Sequence, residues 1–259
     1  MPFLVLLSAL AMPVVAWLSQ RGVLGPTPGE ISDRYPTLLV AAGYAFSIWG
    51  LIFLLDIVFA LSQARPARLQ VTALRRARPA LAAAFSLTAG WQIVFAQQRF
   101  ALALAMMFLL LACLVYAVWL LSAPESEGVG WLPRWAIGLH AGWVSLAAFL
   151  NLAQVIVAYG WLDASAMLPW SLALWTVATA TLLGVNRALR GSVPYVAAAV
   201  WGLAGAFVAQ RSSSLEGSGV SAWTAAAIAG LLVAQTLWWR RSAPRVARRP
   251  GPDPGKRRG

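Results

Sequence analysis

Residues 135–159 read WAIGLHAGWVSLAAFLNLAQVIVAY, and this run establishes the class of structure. It contains no Asp, Glu, Lys or Arg, and it exceeds the length of about 20 apolar residues that a membrane-spanning helix needs. The residues that recur at steps of three or four are His140, Trp143, Ala147, Asn151 and Gln154. They share one face of a helix. We expect this polar face to point into protein and not into lipid.

Seven further apolar segments accompany this one along the chain. The eight segments lie at roughly residues 3–19, 38–62, 80–98, 101–122, 135–159, 167–185, 193–210 and 221–239. The breaks between them contain Pro, Gly, Ser and charged residues. None of the segments alternates in polarity as the strands of a membrane barrel do. The sequence therefore predicts an all-α polytopic bundle of about eight transmembrane helices.

The composition excludes several classes of protein. The 259 residues are 60% hydrophobic and 11% charged, whereas soluble domains have about 25% charged residues. This excludes a soluble enzyme, a disordered chain and a disulfide scaffold. Cys113 and His140 are the single cysteine and the single histidine, so no metal site is expected. No motif indicates a catalytic residue or a resident cofactor, since Gly-rich nucleotide loops, GxSxG and HExxH are all missing.

The distribution of basic residues predicts the orientation of the bundle. With both termini in the cytoplasm, 16 of the 20 basic residues lie on the cytoplasmic side. The four that remain outside are Arg21, Arg34, Arg99 and Arg211. Residues 243–259 form an Arg- and Pro-rich tail, which we expect to be disordered and to rest on anionic lipid. We therefore expect a bacterial inner-membrane protein and no nucleic-acid partner, although the net charge is +12.

The first apolar segment admits two interpretations. LVLLSALAMPVVA is either part of the first transmembrane helix or the apolar core of a cleaved secretory signal. The chain opens Met-Pro-Phe and lacks the basic region that begins a signal peptide. This favours a retained helix.

Aromatic and polar side chains lie at a similar depth in the second, third and fifth segments. On the second segment one face consists of Phe46, Trp49, Phe53 and Asp56, and the cluster on the third consists of Thr88, Trp91, Gln92 and Phe95. A tryptophan in the middle of a span needs space and a partner for its indole N–H. Either these residues pack helices together, or they line a pocket for a flat ligand that opens towards the outer side.

Asp56 is the one acid that we place inside a span, and His140 lies at about the same depth. A charged carboxylate in the membrane is costly, so Asp56 should be neutral, paired or beside water. The sequence thus predicts a polar pair of Asp56 and His140. The pair is either a neutral structural hydrogen bond or part of a proton-coupled step.

Three strings carry a family resemblance. The second segment contains AAGYAFSIWGLIFLL, the third SLTAGWQIVFA and the fifth AGWVSLAAFLN. In this order and spacing they resemble the TspO/MBR family, the tryptophan-rich sensory proteins related to the mitochondrial translocator protein. The corresponding family strings read PPGWVFxxVW, LNxxWSxxFF and PYLxWVxFAxxLN. The resemblance covers residues 1–160, and the fifth-segment string is the most specific.

The resemblance implies a five-helix core over residues 1–160, with three additional helices over residues 161–242. It implies binding of porphyrins (tetrapyrroles) or other bulky hydrophobic ligands, for sensing or transport, and association into a homodimer. The ligand-binding residues that the motifs carry over are Tyr44, Phe46, Trp49, Thr88, Trp91, Trp143, Ala147 and Asn151. This chain departs from the motifs where Ala41 and Ala42 replace a Pro pair, and where Thr88 replaces an Asn.

Other functions stay open on the sequence. A small-molecule transporter suits eight helices and a faint internal repeat, in which the Trp201–Phe207 spacing repeats that of Trp143 and Phe149. The single acid inside the membrane counts against it. An enzyme that breaks down porphyrin in light, and a structural membrane protein without a ligand, are further alternatives.

Overall fold

The computed structural model describes residues 1–123 and 128–242. Its α-helices are α1 (Pro2–Gln20), α2 (Pro28–Arg34), α3 (Ile48–Gln63), α4 (Pro66–Leu69), α5 (Thr72–Ala96), α6 (Phe100–Ser122), α7 (Trp131–Tyr159), α8 (Met167–Ala188), α9 (Val193–Arg211) and α10 (Ser218–Ser242). Short 3₁₀ turns lie at Gly43–Ser47 and Ala164–Ala166. Within these ranges eight helices are long and apolar enough to cross a membrane. This confirms the all-α polytopic bundle, an integral membrane protein in contact with the lipid bilayer. The predicted tail, residues 243–259, lies outside the described residues.

The long helices run alternately up and down, which gives the bundle two ends. One end, here the α2 end, holds α2, the Gly43–Ser47 turn and the last turns of α5, α7 and α9. The other, the α4 end, holds α4 and the first turns of α5, α7 and α9. Hydrogen bonds from Arg78 fasten the α4 end, since its guanidinium donates to Gln63 Oε1 at 2.8 Å and to the carbonyl oxygens of Arg68 and Leu69 at 3.1 Å.

Helix α7 is the central element of the bundle. It packs against α3, α6, α8 and α9, and it is the most buried of the eight spans. Its contact with α9 is a close one between backbones. A Cβ added at Gly142 would overlap the carbonyl oxygen of Tyr195, and one at Gly138 would lie 3.0 Å from the Cγ of Pro194. Small residues thus let α9 lie directly on α7, as they do in many membrane bundles.

The second predicted segment begins later than its hydropathy indicates. Residues 38–42 are not helical, and the span starts with the 3₁₀ turn at Gly43. Leu38 and Leu39 are nevertheless fully buried. An apolar run was expected to be helical, but here it is a buried loop, with backbone hydrogen bonds to Ser221 of α10, to Gly205 of α9 and to the neighbouring Thr37 hydroxyl.

Helix α2 lies in a stretch that the sequence analysis treats as a break. Thr27 caps it, because its hydroxyl accepts the N–H of Glu30 while its own backbone N–H donates to the Glu30 carboxylate at 2.7 Å. This reciprocal pair is the capping box, whose Thr-x-x-Glu signature is present in the sequence. The donated N–H holds the pKa of Glu30 below its usual value.

Candidate functional site

Trp143 lies at the centre of a cluster of aromatic rings. It is on α7 with 1% of its surface exposed. Phe46 meets it edge-on with 5.6 Å between ring centroids, and Trp49 meets it edge-on at 6.1 Å. Trp49 in turn stacks on Phe53 at 5.3 Å. The structure therefore brings together three of the predicted ligand residues, from the Gly43–Ser47 turn, α3 and α7.

A chain of polar side chains lies directly beside this cluster. His140 Nδ1 is 2.8 Å from Asp56 Oδ2, and its Nε2 is 3.4 Å from the Thr88 hydroxyl oxygen. That hydroxyl lies 2.9 Å from the carbonyl oxygen of Ala84, to which it donates. Asp56 and His140 are fully buried. The two residues that we expected at one depth thus touch across α3 and α7, and Thr88 connects them to α5.

The His140 ring links the polar chain to the aromatic cluster. Trp49 meets it edge-on at 5.5 Å between centroids, and Phe85 stacks on its other side at 6.1 Å. Phe85 was not among the predicted residues, although it precedes Thr88 by three positions and so shares its helix face. Thr88 has its hydroxyl engaged with His140 and with α5, and it is 1% exposed.

Besides Asp56, whose Oδ1 is buried and unpaired, three predicted ligand residues have buried polar atoms without a hydrogen-bond partner among the described residues. The atoms are the indole nitrogens of Trp91 and Trp143 and both side-chain amide atoms of Asn151. Trp143 and Asn151 are eight residues apart on the same face of α7, which is about 12 Å along its axis. Such groups are uncommon in folded proteins, and each one needs an explanation.

Two other mid-span tryptophans do have partners. Trp175 donates its indole N–H to Ser221 at 2.8 Å, and Trp201 donates to the carbonyl oxygen of Ala45 at 2.9 Å. Both are outside the predicted ligand set. The unpaired indoles of Trp91 and Trp143 are therefore a feature of the predicted site and not of mid-span tryptophans in general in the described part of the chain.

The remaining predicted ligand residues make no ring contact with Trp143 in the described part of the chain. Tyr44 is half-exposed and meets Trp201 edge-on at 5.8 Å. Trp91 stacks on Phe95 at 4.8 Å, and Ala147 is partly buried on α7. Trp201 was not predicted as a site residue, although the faint internal repeat pairs its position with that of Trp143.

A lateral groove of about 330 Å³ lies elsewhere, between α9 and α10. Leu203, Phe207 and Trp223 are among its lining residues, and none of the predicted ligand residues line it. Its walls consist of aliphatic and aromatic side chains, and the indole N–H of Trp223 is the one side-chain hydrogen-bond donor among its lining residues. The candidate site is therefore the cluster around Trp143, whose own rings fill the space between the helices.

Comparison with known proteins agrees with the motif resemblance. A family model described as TSPO-like protein matches residues 2–238. The match continues through α8, α9 and most of α10, beyond the strings that carried the resemblance. No curated protein and no solved structure matches the chain. Because the family model covers nearly the whole chain, this protein belongs to the family of TSPO-like proteins.

Proposed function

We propose that this protein is a membrane receptor that binds a planar hydrophobic ligand of the tetrapyrrole class, for sensing or transport. The observation that carries the proposal is the set of unpaired buried polar atoms on Trp91, Trp143 and Asn151. A buried polar group without a partner costs about 1–3 kcal/mol. A ligand that pairs with these atoms recovers that free energy when it binds.

The chemistry of the unpaired atoms defines the ligand. An indole nitrogen only donates, so Trp91 and Trp143 need acceptor oxygens or nitrogens on the ligand. Asn151 offers both a donor and an acceptor. A porphyrin presents a flat conjugated ring to the indole faces and carboxylates at its rim. Each aromatic pair contributes about 0.5–1.5 kcal/mol beyond burial.

Binding requires some rings of the cluster to move, because they now occupy the centre. Phe46 and Trp49 are the members that retain exposed surface, while Trp143 is buried beneath them. We infer that Phe46 and Trp49 turn aside and stack on the ligand, and that Trp143 and Asn151 stay in place on α7.

Titration with protoporphyrin IX in detergent, followed by tryptophan fluorescence, tests the proposal. Trp143→Phe keeps a ring and removes the N–H, and Asn151→Leu removes the amide. Each should weaken binding about tenfold, or about 1.4 kcal/mol. The matched control is Trp119→Phe, because Trp119 is an exposed residue of α6 whose ring contact in the described part of the chain is Tyr116. If both site variants bind as tightly as the unchanged protein, the ligand does not lie on this face.

A second candidate function is transport coupled to protons, and the Asp56–His140 contact favours it. Ionisable groups buried inside a membrane often mark a proton path. Porphyrin flux into liposomes should then depend on a pH gradient, and Asp56→Asn should abolish that dependence. Flux that does not depend on the pH gradient would contradict proton coupling and leave receptor binding as the proposed function.

We further propose that both termini face the cytoplasm. The support is that Arg21, Arg34, Arg99 and Arg211 all lie at the α2 end, while the other described arginines lie at the α4 end. Protease digestion of a tag added after residue 259, in intact and in opened cells, tests this orientation.

A further inference from the structure

The segment of residues 37–47 has two hydrogen bonds of its own, Leu39 N–H to the Thr37 hydroxyl and Ala45 N–H to the Ala42 carbonyl, and several more with helices far along the chain. Gln210 Nε2 donates to the Thr37 carbonyl oxygen at 3.1 Å, and the Ala42 N–H donates to the Gly205 carbonyl oxygen at 3.0 Å. These contacts join α9 to the residues that lie immediately before α3 in the chain.

Two more bonds complete this attachment. The Trp201 indole N–H donates to the Ala45 carbonyl oxygen at 2.9 Å, and the Ser221 hydroxyl of α10 donates to the Leu38 carbonyl oxygen. Backbone groups in an apolar surrounding must be paired, and the 3₁₀ turn at Gly43–Ser47 pairs only part of this segment. Helices α9 and α10 therefore supply what the segment cannot supply for itself.

Gly205 makes the contact between α9 and the segment a close one. A Cβ added there would lie 2.5 Å from the Cβ of Ala45 and 3.4 Å from the Cβ of Ala41. One turn earlier, a Cβ at Gly202 would lie 3.2 Å from Cζ3 of Trp143. One face of α9 thus touches both the 37–47 segment and the central ring of the candidate site.

Ala42 has a residue-specific part in this contact. Its φ is −58° and its ψ is 146°, which are values that proline also adopts. A proline there would fit the backbone and yet lack the N–H that is donated to Gly205. Ala42→Pro therefore removes this hydrogen bond and places the ring Cδ against the Gly205 carbonyl oxygen, so the contact with α9 must open.

We propose that α9 fixes the 37–47 segment over the ligand site, and that Trp201 and Gly205 are positioning residues for that site. The segment carries Tyr44 and Phe46 and leads into Trp49, so its placement sets how these rings cover Trp143. A ligand beneath them leaves only when the segment lifts from α9. The part that concerns ligand release rests on the proposed function, whereas the placement of the segment does not.

Hydrogen–deuterium exchange of the ligand-free, full-length protein tests the placement. Trp201→Phe and Ala42→Pro should each raise the exchange rate of amides in residues 37–47 about tenfold and leave α6 unchanged. Trp223→Phe is the matched control, because Trp223 is an exposed tryptophan of α10 whose ring contact is Phe207. Unchanged exchange of residues 37–47 in both variants would overturn the proposal.

A rescue variant separates positioning from general destabilisation. Gly205→Ala should raise exchange in the segment because its new Cβ overlaps the Cβ of Ala45. The double change Gly205→Ala with Ala45→Gly removes that overlap and should return exchange towards the original rate. If the double change stays as fast as Gly205→Ala alone, the contact does not act through this pair, and the assignment of Gly205 is wrong.

Ligand kinetics form the second arm of the test. Stopped-flow measurement with protoporphyrin IX should give a dissociation rate at least fivefold higher for Trp201→Phe, and an unchanged rate for Trp223→Phe. An unchanged dissociation rate in Trp201→Phe would refute the role in release, whatever the exchange result. If the unchanged protein binds no porphyrin, the proposed function fails, while the exchange experiment still decides the placement of the segment.

Discussion

Replacing Asp56 by asparagine tests whether the buried polar chain is neutral. The Thr88 hydroxyl donates to Ala84, so its oxygen accepts from the Nε2–H of His140. In a neutral imidazole the Nδ1 atom then holds the lone pair and accepts from a protonated Asp56. An ionised pair is disfavoured here, because both residues are fully buried and desolvation costs several kcal/mol per ion.

The expected magnitudes follow from this arrangement. In Asp56→Asn an amide N–H replaces the acid O–H as the donor to Nδ1, so the free energy of unfolding should fall by less than about 1 kcal/mol. Asp56→Leu has the same branched skeleton, with larger methyl groups and no donor, and it leaves Nδ1 unpaired at a cost of about 1–3 kcal/mol. Interhelical hydrogen bonds in membranes are worth about 0.6 kcal/mol on average, which places the leucine value towards the lower part of that range.

Reversible unfolding in sodium dodecyl sulfate, followed by far-ultraviolet circular dichroism, measures both variants against the unchanged protein. If the leucine variant is clearly less stable than the asparagine variant, the result supports uncharged hydrogen bonds between Asp56, His140 and Thr88. If asparagine costs about 3 kcal/mol or more, as expected when one partner of a buried ion pair is removed, the neutral arrangement is refuted.

Two further predictions concern packing and capping. Gly142→Ala should lower the melting temperature, and destabilise the protein by about 1–3 kcal/mol, because the new Cβ overlaps a backbone carbonyl of α9. The control is Gly184→Ala, which should be neutral or stabilising because nothing lies within 4 Å of its Cβ. Equal melting temperatures of the two variants would contradict the close α7–α9 contact. The folded-state pKa of Glu30 is lowered from 4.5 by the Thr27 N–H, so the contribution of Glu30 to α2 is present above about pH 4.5 and is lost as the pH falls through the folded pKa. Hydrogen exchange of residues 28–34, corrected for the intrinsic rate, should accelerate at acid pH in the unchanged protein but not in Glu30→Gln, and the same acceleration in both would refute this role.

Hydropathy predicted the long helices well because lipid contact requires long apolar runs. Helix α9 was expected over residues 193–210 and is found at Val193–Arg211. The same reasoning failed at residues 38–42, because a buried loop is as apolar as a buried helix. It also began α5 too late, at residue 80 instead of Thr72, since the charged first turns of that helix lie at the α4 end, outside the apolar window.

Helical spacing predicted part of the candidate site. It placed Trp49 and Asp56 on one face of α3, and His140 and Trp143 on one face of α7, and these faces meet in the structure. Periodicity relates only residues within one helix, so it could not pair Trp201 with Ala45, 156 positions away. That hydrogen bond depends on how α9 packs against α7, which no local pattern encodes.

The hydrogen bonds of the 37–47 segment also set an order of events during synthesis. Ser221, the most distant donor, leaves the ribosome about 180 residues after Leu38, which corresponds to roughly 10–35 s at the usual rates of translation. During that interval the segment is in the membrane or at its surface without its native partners. Its carbonyl groups are then available to water, lipid headgroups or the insertion machinery. We therefore expect the candidate site to be the last part of this protein to mature, only after α10 has entered the bilayer.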